Sequence, residues 1–149
     1  MHKDMKLRKE TLYIAVSLID RTLERMKIRR KHFHLVGIAS LWIAIKYEEV
    51  QLPKIRTFLD VAKSAYRRSE VIEMEMKILV ELEFQVTVPS SNFFLTYLCE
   101  RYYISEKVNS LARCLTEIAL LEGRMVAQYR PSKIASAALK LSIKLIGEP

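Results

Sequence analysis

Residues 35–47, L-V-G-I-A-S-L-W-I-A-I-K-Y, constrain the fold more than any other part of the chain. Placed on a helix at about 100° per residue, they are apolar on nearly every side. Such a helix cannot rest on a surface and must be wrapped by others. Gly37, Ser40 and Ala44 form a narrow seam of small residues, which predicts a close helix approach there. Leu35, Ala39 and Trp42 lie roughly opposite, and Lys46 shares their side at the last turn.

The rest of the chain supplies the wrapping helices. Residues 10–26 read as a helix with Leu12, Ala15, Val16, Ile19, Leu23 and Met26 on one face. Asp20 sits at the edge of that face and calls for a cation or donors, while Arg21, Glu24 and Arg25 are expected in water. A basic loop, 27–31, leads into the wrapped helix. Pro53 is placed in the first turn of a short helix ending near Ser64, with Ile55, Phe58, Leu59 and Ala62 inward. Ser69 reads as the cap of a helix over 70–83, with Glu70, Glu73, Lys77 and Glu81 in water and Val71, Ile72, Ile78, Leu79 and Leu82 inward. Residues 85–91 form an extended linker around Pro89. Ser91 or Asn92 caps a helix to about Tyr103. Ser105 caps another that closes at Gly123, with Val108, Leu111, Ala112, Leu115, Ile118 and Ala119 inward. Ser132 caps a last helix that Gly147 ends.

That last helix echoes the wrapped one: Ile38-Ala39-Ser40 recurs as Ile134-Ala135-Ser136. The echo predicts two copies of one all-α unit. The first spans 1–84, the linker 85–91, and a partial second copy of three helices 92–149.

Composition narrows the function classes. Half of the residues are apolar, with 3 glycines and 4 prolines, which favours a helical globular chain over disorder. No apolar run reaches the roughly 18 residues a membrane span needs, so no membrane role is expected, and the basic N-terminus lacks the apolar run of a signal peptide. Cys99 and Cys114 read as buried free thiols. The net charge of +8 permits a nucleic-acid partner, but the basic residues crowd the first part of the chain and the later helices carry mixed charge. A solvated loop or an acidic protein partner explains that crowding first.

Catalytic chemistry is missing. There is no glycine-rich phosphate loop and no G-x-S-x-G. His32 and His34 stand without a cysteine or carboxylate at ligand spacing, so no metal and no cofactor are expected. Glu48-Glu49 reads as a solvated helix end. The informative pair is Lys46 and Glu75. Glu75 falls in the middle of an apolar stripe, where an unpaired carboxylate costs several kcal/mol, so something must meet it. An internal salt bridge meets that need, and so does a partner protein gripped at the edge of an apolar patch.

The chain resembles the cyclin box of eukaryotic cell-cycle cyclins, most of all the mitotic A/B group. The runs that carry the resemblance are E-T-L-Y-I-A-V-S-L-I-D-R from Glu10, H-L-V-G-I-A-S-L-W-I-A-I-K-Y-E-E from His34, V-I-E-M-E from Val71, F-Q-V-T-V-P from Phe84 and Y-R-P-S-K-I-A-S-A-A-L from Tyr129. The resemblance implies a two-repeat cyclin fold, no enzymatic activity, and a cyclin-dependent Ser/Thr kinase as partner. It assigns the kinase contact to Lys46 and Glu75, surrounded by Ile43, Tyr47, Leu79, Phe84 and Val86, and implies a location in the nucleus or cytoplasm.

The departures are specific. The M-R-A-I-L-type helix that docks R-x-L substrates is not found, so Asp20 lacks the arginine it pairs with in the family. Of the groove for substrates or inhibitors, the part matching Phe33, His34 and Leu35 remains. The last helices of the second repeat are not found either, which suggests truncation at both ends. Two other readings stay open: a cyclin-fold transcription factor on DNA and basal machinery, and a truncated cyclin that binds its kinase weakly.

Overall fold

The computed structural model describes residues 5–63 and 66–147, Arg124 by its backbone alone. All regular elements among them are helical. They group into two compact units, one running up to Val88 and one from Pro89 onward.

The first unit holds α1 (Lys9–Arg25), a 3-10 turn (Arg30–His32), α2 (Phe33–Glu48), α3 (Ile55–Val61) and α4 (Arg68–Glu81). Helix α2 is wrapped as its all-round apolarity predicts. Leu35, Val36 and every residue from Ile38 to Ile45 are buried, with α1 and α4 packed along it and Phe58 of α3 tilted against Trp42 at 5.0 Å between ring centroids. Burying ten side chains of one helix is what holds the unit together, because most helical stability comes from packing rather than propensity. The small-residue seam is only partly used. Ser40 and Ala44 are fully buried, but a Cβ built on Gly37 would meet nothing within 4 Å. No helix presses on the chain at that point.

Helix α1 is turned relative to expectation. Its buried residues are Thr11, Tyr13, Ile14, Ala15, Leu18 and Thr22, so of the expected face only Ala15 is fully buried. Leu12, Val16, Ile19 and Met26 are half-buried and Leu23 is exposed. The helix carries two apolar stripes of the same period, and α2 covers the one that includes two threonines. The turn brings Arg21, expected in water, to a half-buried place where burial lowers its pKa and the nearby Arg25 lowers it further. Asp20 is exposed at the residue level and meets no cation among the described residues; partial burial of its carboxyl raises its pKa.

Helix starts differ where an unexpected group does the capping. Helix α4 begins at Arg68 rather than after Ser69, because Glu70 reaches back to accept the Arg67 N–H at 2.8 Å. On α4, Ile72 is exposed and Met74 takes its place in the core. Pro53 precedes α3, which starts at Ile55; the expected end of α3 at Ser64 lies outside the described residues.

The second unit holds α5 (Ser91–Arg101), α6 (Glu106–Ala119), α7 (Gly123–Gln128) and α8 (Pro131–Ile146). The Ser90 hydroxyl, not Ser91 or Asn92, caps α5 by accepting the Phe93 N–H at 2.9 Å. Ser105 caps α6 as expected. Gly123 opens α7 instead of ending α6, which adds a fourth helix to the expected three. Pro131 takes the first position of α8, ahead of Ser132, and Gly147 ends that helix at φ 75°. Leu95, Cys99, Val108, Ala112, Ala135 and Leu139 form the core. Ile118, expected inward, is exposed. Burial raises the Cys99 thiol pKa, whereas Cys114 is exposed, against expectation. Arg113 ties α5 to α6: its guanidinium donates to Asn109 Oδ1 and Asn92 Oδ1, each at 2.9 Å, and to Thr96 Oγ1 at 3.4 Å.

Candidate functional site

The site lies in the first unit, where the last turn of α2 meets the middle of α4. Both helices bury one face in the common core, and that packing carries Lys46 and Glu75 to each other. The Lys46 ammonium donates to Glu75 Oε1 as an ion pair. The two side chains are unequal in exposure: 39% for Lys46 and 7% for Glu75. The carboxylate expected in the apolar stripe is therefore buried and paired, while the cation that pairs it keeps one side in water. Trp42, one turn earlier on α2, places its ring centroid 5.9 Å from the same ammonium. A single cation so held satisfies a buried anion and still presents donors outward.

The apolar positions divide around this pair. Ile43 is buried in the core, and Leu79 and Val86 are half-buried against it. Tyr47 is 54% and Phe84 63% exposed. Phe84 is held out by the backbone. After α4 the chain turns through Glu83 and Phe84, at φ 51° and 58°, and the Phe84 N–H returns to the Leu79 carbonyl at 2.8 Å. Left-handed backbone at an aromatic residue is uncommon and costs on the order of 1 kcal/mol or more. Met76 and Val80 on α4 are exposed as well. They were not singled out from sequence; the signal for them is apolar residues on α4 outside its inward stripe.

Glu48 and Glu49 are not a solvated helix end. Glu49 Oε1 accepts the Arg8 N–H at 2.7 Å and the Thr11 hydroxyl at 2.5 Å, and Glu48 pairs with the Arg8 guanidinium at 2.7 Å. They anchor the start of α1, placing negative charge where the helix N-terminus favours it. Of the residual groove, Phe33 and His34 are exposed at the start of α2, whereas Leu35 is turned into the core. Of the seam residues Gly37 and Ala44 and the helix-edge Asp20, only Ala44 is buried. Among the described residues no group of His, Cys, Asp and Glu is placed to hold a metal ion, and no helix is long and apolar enough to cross a membrane.

The family model for the cyclin N-terminal domain matches residues 1–87, and that for the cyclin C-terminal domain matches residues 89–149. The chain belongs to the cyclin family. It is 40% identical over 146 residues to the G2/mitotic-specific cyclin-B of Spisula solidissima, covering 98% of this chain and 34% of that protein. The human G2/mitotic-specific cyclin-B2 is 38% identical, over 99% of this chain and 37% of that protein. Human cyclin-A1 is 37% identical, over 94% and 30%. The chain thus spans about a third of these cyclins. Among solved structures, a viral cyclin from herpesvirus saimiri superposes with a TM-score of 0.87 at 22% identity, covering 99% of this chain and 66% of the viral one. The all-helical architecture is a cyclin fold.

Proposed function

We propose that this cyclin is a regulatory, non-catalytic subunit that binds and activates a cyclin-dependent Ser/Thr protein kinase in cell-cycle control, in the nucleus or cytoplasm. The observation that carries the reading is the half-open ion pair: Glu75 is buried and Lys46 half-exposed, beside the exposed Tyr47 and Phe84. Lys46 and Glu75 grip the kinase's mobile helix through its backbone carbonyls and N–H groups, and Tyr47, Leu79, Phe84 and Val86 cover its apolar side, with Ile43 supporting them from beneath. The likeness to G2/mitotic cyclins supports a mitotic role. Activation follows if the chain binds the active arrangement of the kinase better than the inactive one, because a ligand shifts a two-state equilibrium only by its differential affinity. About 5.5 kcal/mol of difference carries a population from 1:99 to 99:1.

The test is the double charge exchange Lys46→Glu with Glu75→Lys. It keeps an internal ion pair, so helical content by circular dichroism should be retained. It reverses the charges offered to the partner, so kinase activation in a reconstituted phosphorylation assay should be lost. Full activation by the folded double variant overturns the assignment.

A further inference from the structure

Two basic runs that are distant in sequence meet at one corner of the first unit. Lys31 lies in the 3-10 turn before α2, Arg56 is on α3, Lys63 follows α3, and Arg68 opens α4. Tyr66 joins the runs. Its hydroxyl donates to the Lys31 carbonyl at 3.3 Å, and its ring lies 5.8 Å from that of His34 on α2. Tyr66 then lines an open depression together with Arg56, Lys63 and Arg68, with Leu59 as its apolar wall. Among the described residues of that lining Asp60 is the single carboxylate. All four cations are exposed, and none has an ion-pair partner among the described residues.

We propose that this corner is a docking site for a peptide segment phosphorylated on serine or threonine. Arg56, Lys63 and Arg68 take the phosphoryl group, and Phe33, 47% exposed at the same end of α2, takes an apolar neighbour. The charge fits. A phosphorylated hydroxyl carries about −1.5 to −2 at neutral pH, and three cations against one carboxylate leave the depression with a matching positive excess. The planar forks of two arginines suit phosphoryl oxygens better than a single carboxylate. A peptide fits better than a nucleic acid. Asp60 within the lining opposes the continuous phosphate chain of a nucleic acid. The same positive charge opposes an arginine-bearing R-x-L segment at this end of α2. The inference goes beyond the kinase reading and does not rest on it, because binding is measured on this chain alone.

The test is fluorescence polarisation with the intact chain and a short labelled peptide carrying one leucine and one phosphoserine. The expected result is at least about tenfold tighter binding than to the same peptide with serine or with glutamate in that place. The double variant Lys63→Glu with Arg68→Glu should erase the difference. Lys133→Glu, on an exposed position of α8, should leave it intact. Arg56→Glu alone should weaken the phosphopeptide and not the serine peptide, which guards against a folding defect in the double variant. Equal binding of the glutamate peptide, unchanged binding by the double variant, or tighter binding of duplex DNA would each overturn the proposal.

Discussion

Helices α2 and α8 carry the same tripeptide and live in different surroundings. Aligned on Ile38-Ala39-Ser40 and Ile134-Ala135-Ser136, they place Ile45 opposite Leu141 and Lys46 opposite Ser142. Ile45 is fully buried, whereas Leu141 is 46% exposed. Lys46 reaches across to Glu75, whereas the buried Ser142 hydroxyl turns back to its own helix and donates to the Ala138 carbonyl at 2.8 Å. Helix α2 is ringed by α1 and α4, while α8 packs on α5 and α6 and leaves Leu141 and Leu145 open. The same helical register therefore stands with a serine at the position aligned with Lys46, and its last-turn lysine, Lys144, sits two residues further on. The ion pair of the first unit is an addition to the frame rather than a condition of it, which is why a role outward from the fold is the economical account of it.

The sharpest way to break this comparison is to truncate the two aligned positions in turn. Ile45→Ala removes a fully buried side chain from a ringed helix and should cost about 2–5 kcal/mol of unfolding free energy. Leu141→Ala removes a half-exposed one and should cost no more than about 1 kcal/mol. Urea denaturation of the intact chain measures both. Equal costs would mean that α8 is as enclosed as α2, and the contrast would fail.

A second, smaller effect separates the polar groups of the two units. In the second unit Arg113 meets Asn92, Thr96 and Asn109 within the fold. Arg113→Met takes the guanidinium away from the buried Asn92 and should cost about 1–3 kcal/mol. Kinase activation should persist wherever that variant remains folded. The Lys46/Glu75 exchange is expected to do the reverse, sparing the fold and ending activation. A folded Arg113→Met protein that fails to activate would erase the division between a structural hub and an outward grip.

Helix α2 and the Lys46–Glu75 contact were legible because each follows from a local demand. All-round apolarity requires enclosure, and a carboxylate inside an apolar stripe requires a cation. The face of α1 was not legible, since Thr11, Ile14, Leu18 and Thr22 repeat at the same period as Leu12, Val16, Ile19 and Leu23, and only α2 decides between them. Glu48 and Glu49 were misread because their partners, Arg8 and Thr11, are some forty positions away. The Tyr66 bridge to Lys31 is invisible for the same reason. Short α7 went unseen because six residues carry too little periodicity to register. Local rules reached what a residue needs; the identity of a distant donor came only with the fold.

The smallest effect decides how the seam on α2 should be understood. Gly37, Ser40 and Ala44 suggest that a neighbouring helix needs the missing side chain, in which case any Cβ at Gly37 would force the helices apart. The packing around α2 gives the opposite expectation, because a Cβ there has no atom within 4 Å to meet. Helix α8 agrees, since the aligned position holds Lys133, whose side chain is exposed. Gly37→Ala should then act through the backbone alone. Alanine narrows the unfolded ensemble and favours the helix, for a gain of about 0.5–1 kcal/mol. The urea midpoint should rise without a change in slope. A fall in the midpoint would place a helix against Gly37 after all and restore the seam to the length of α2.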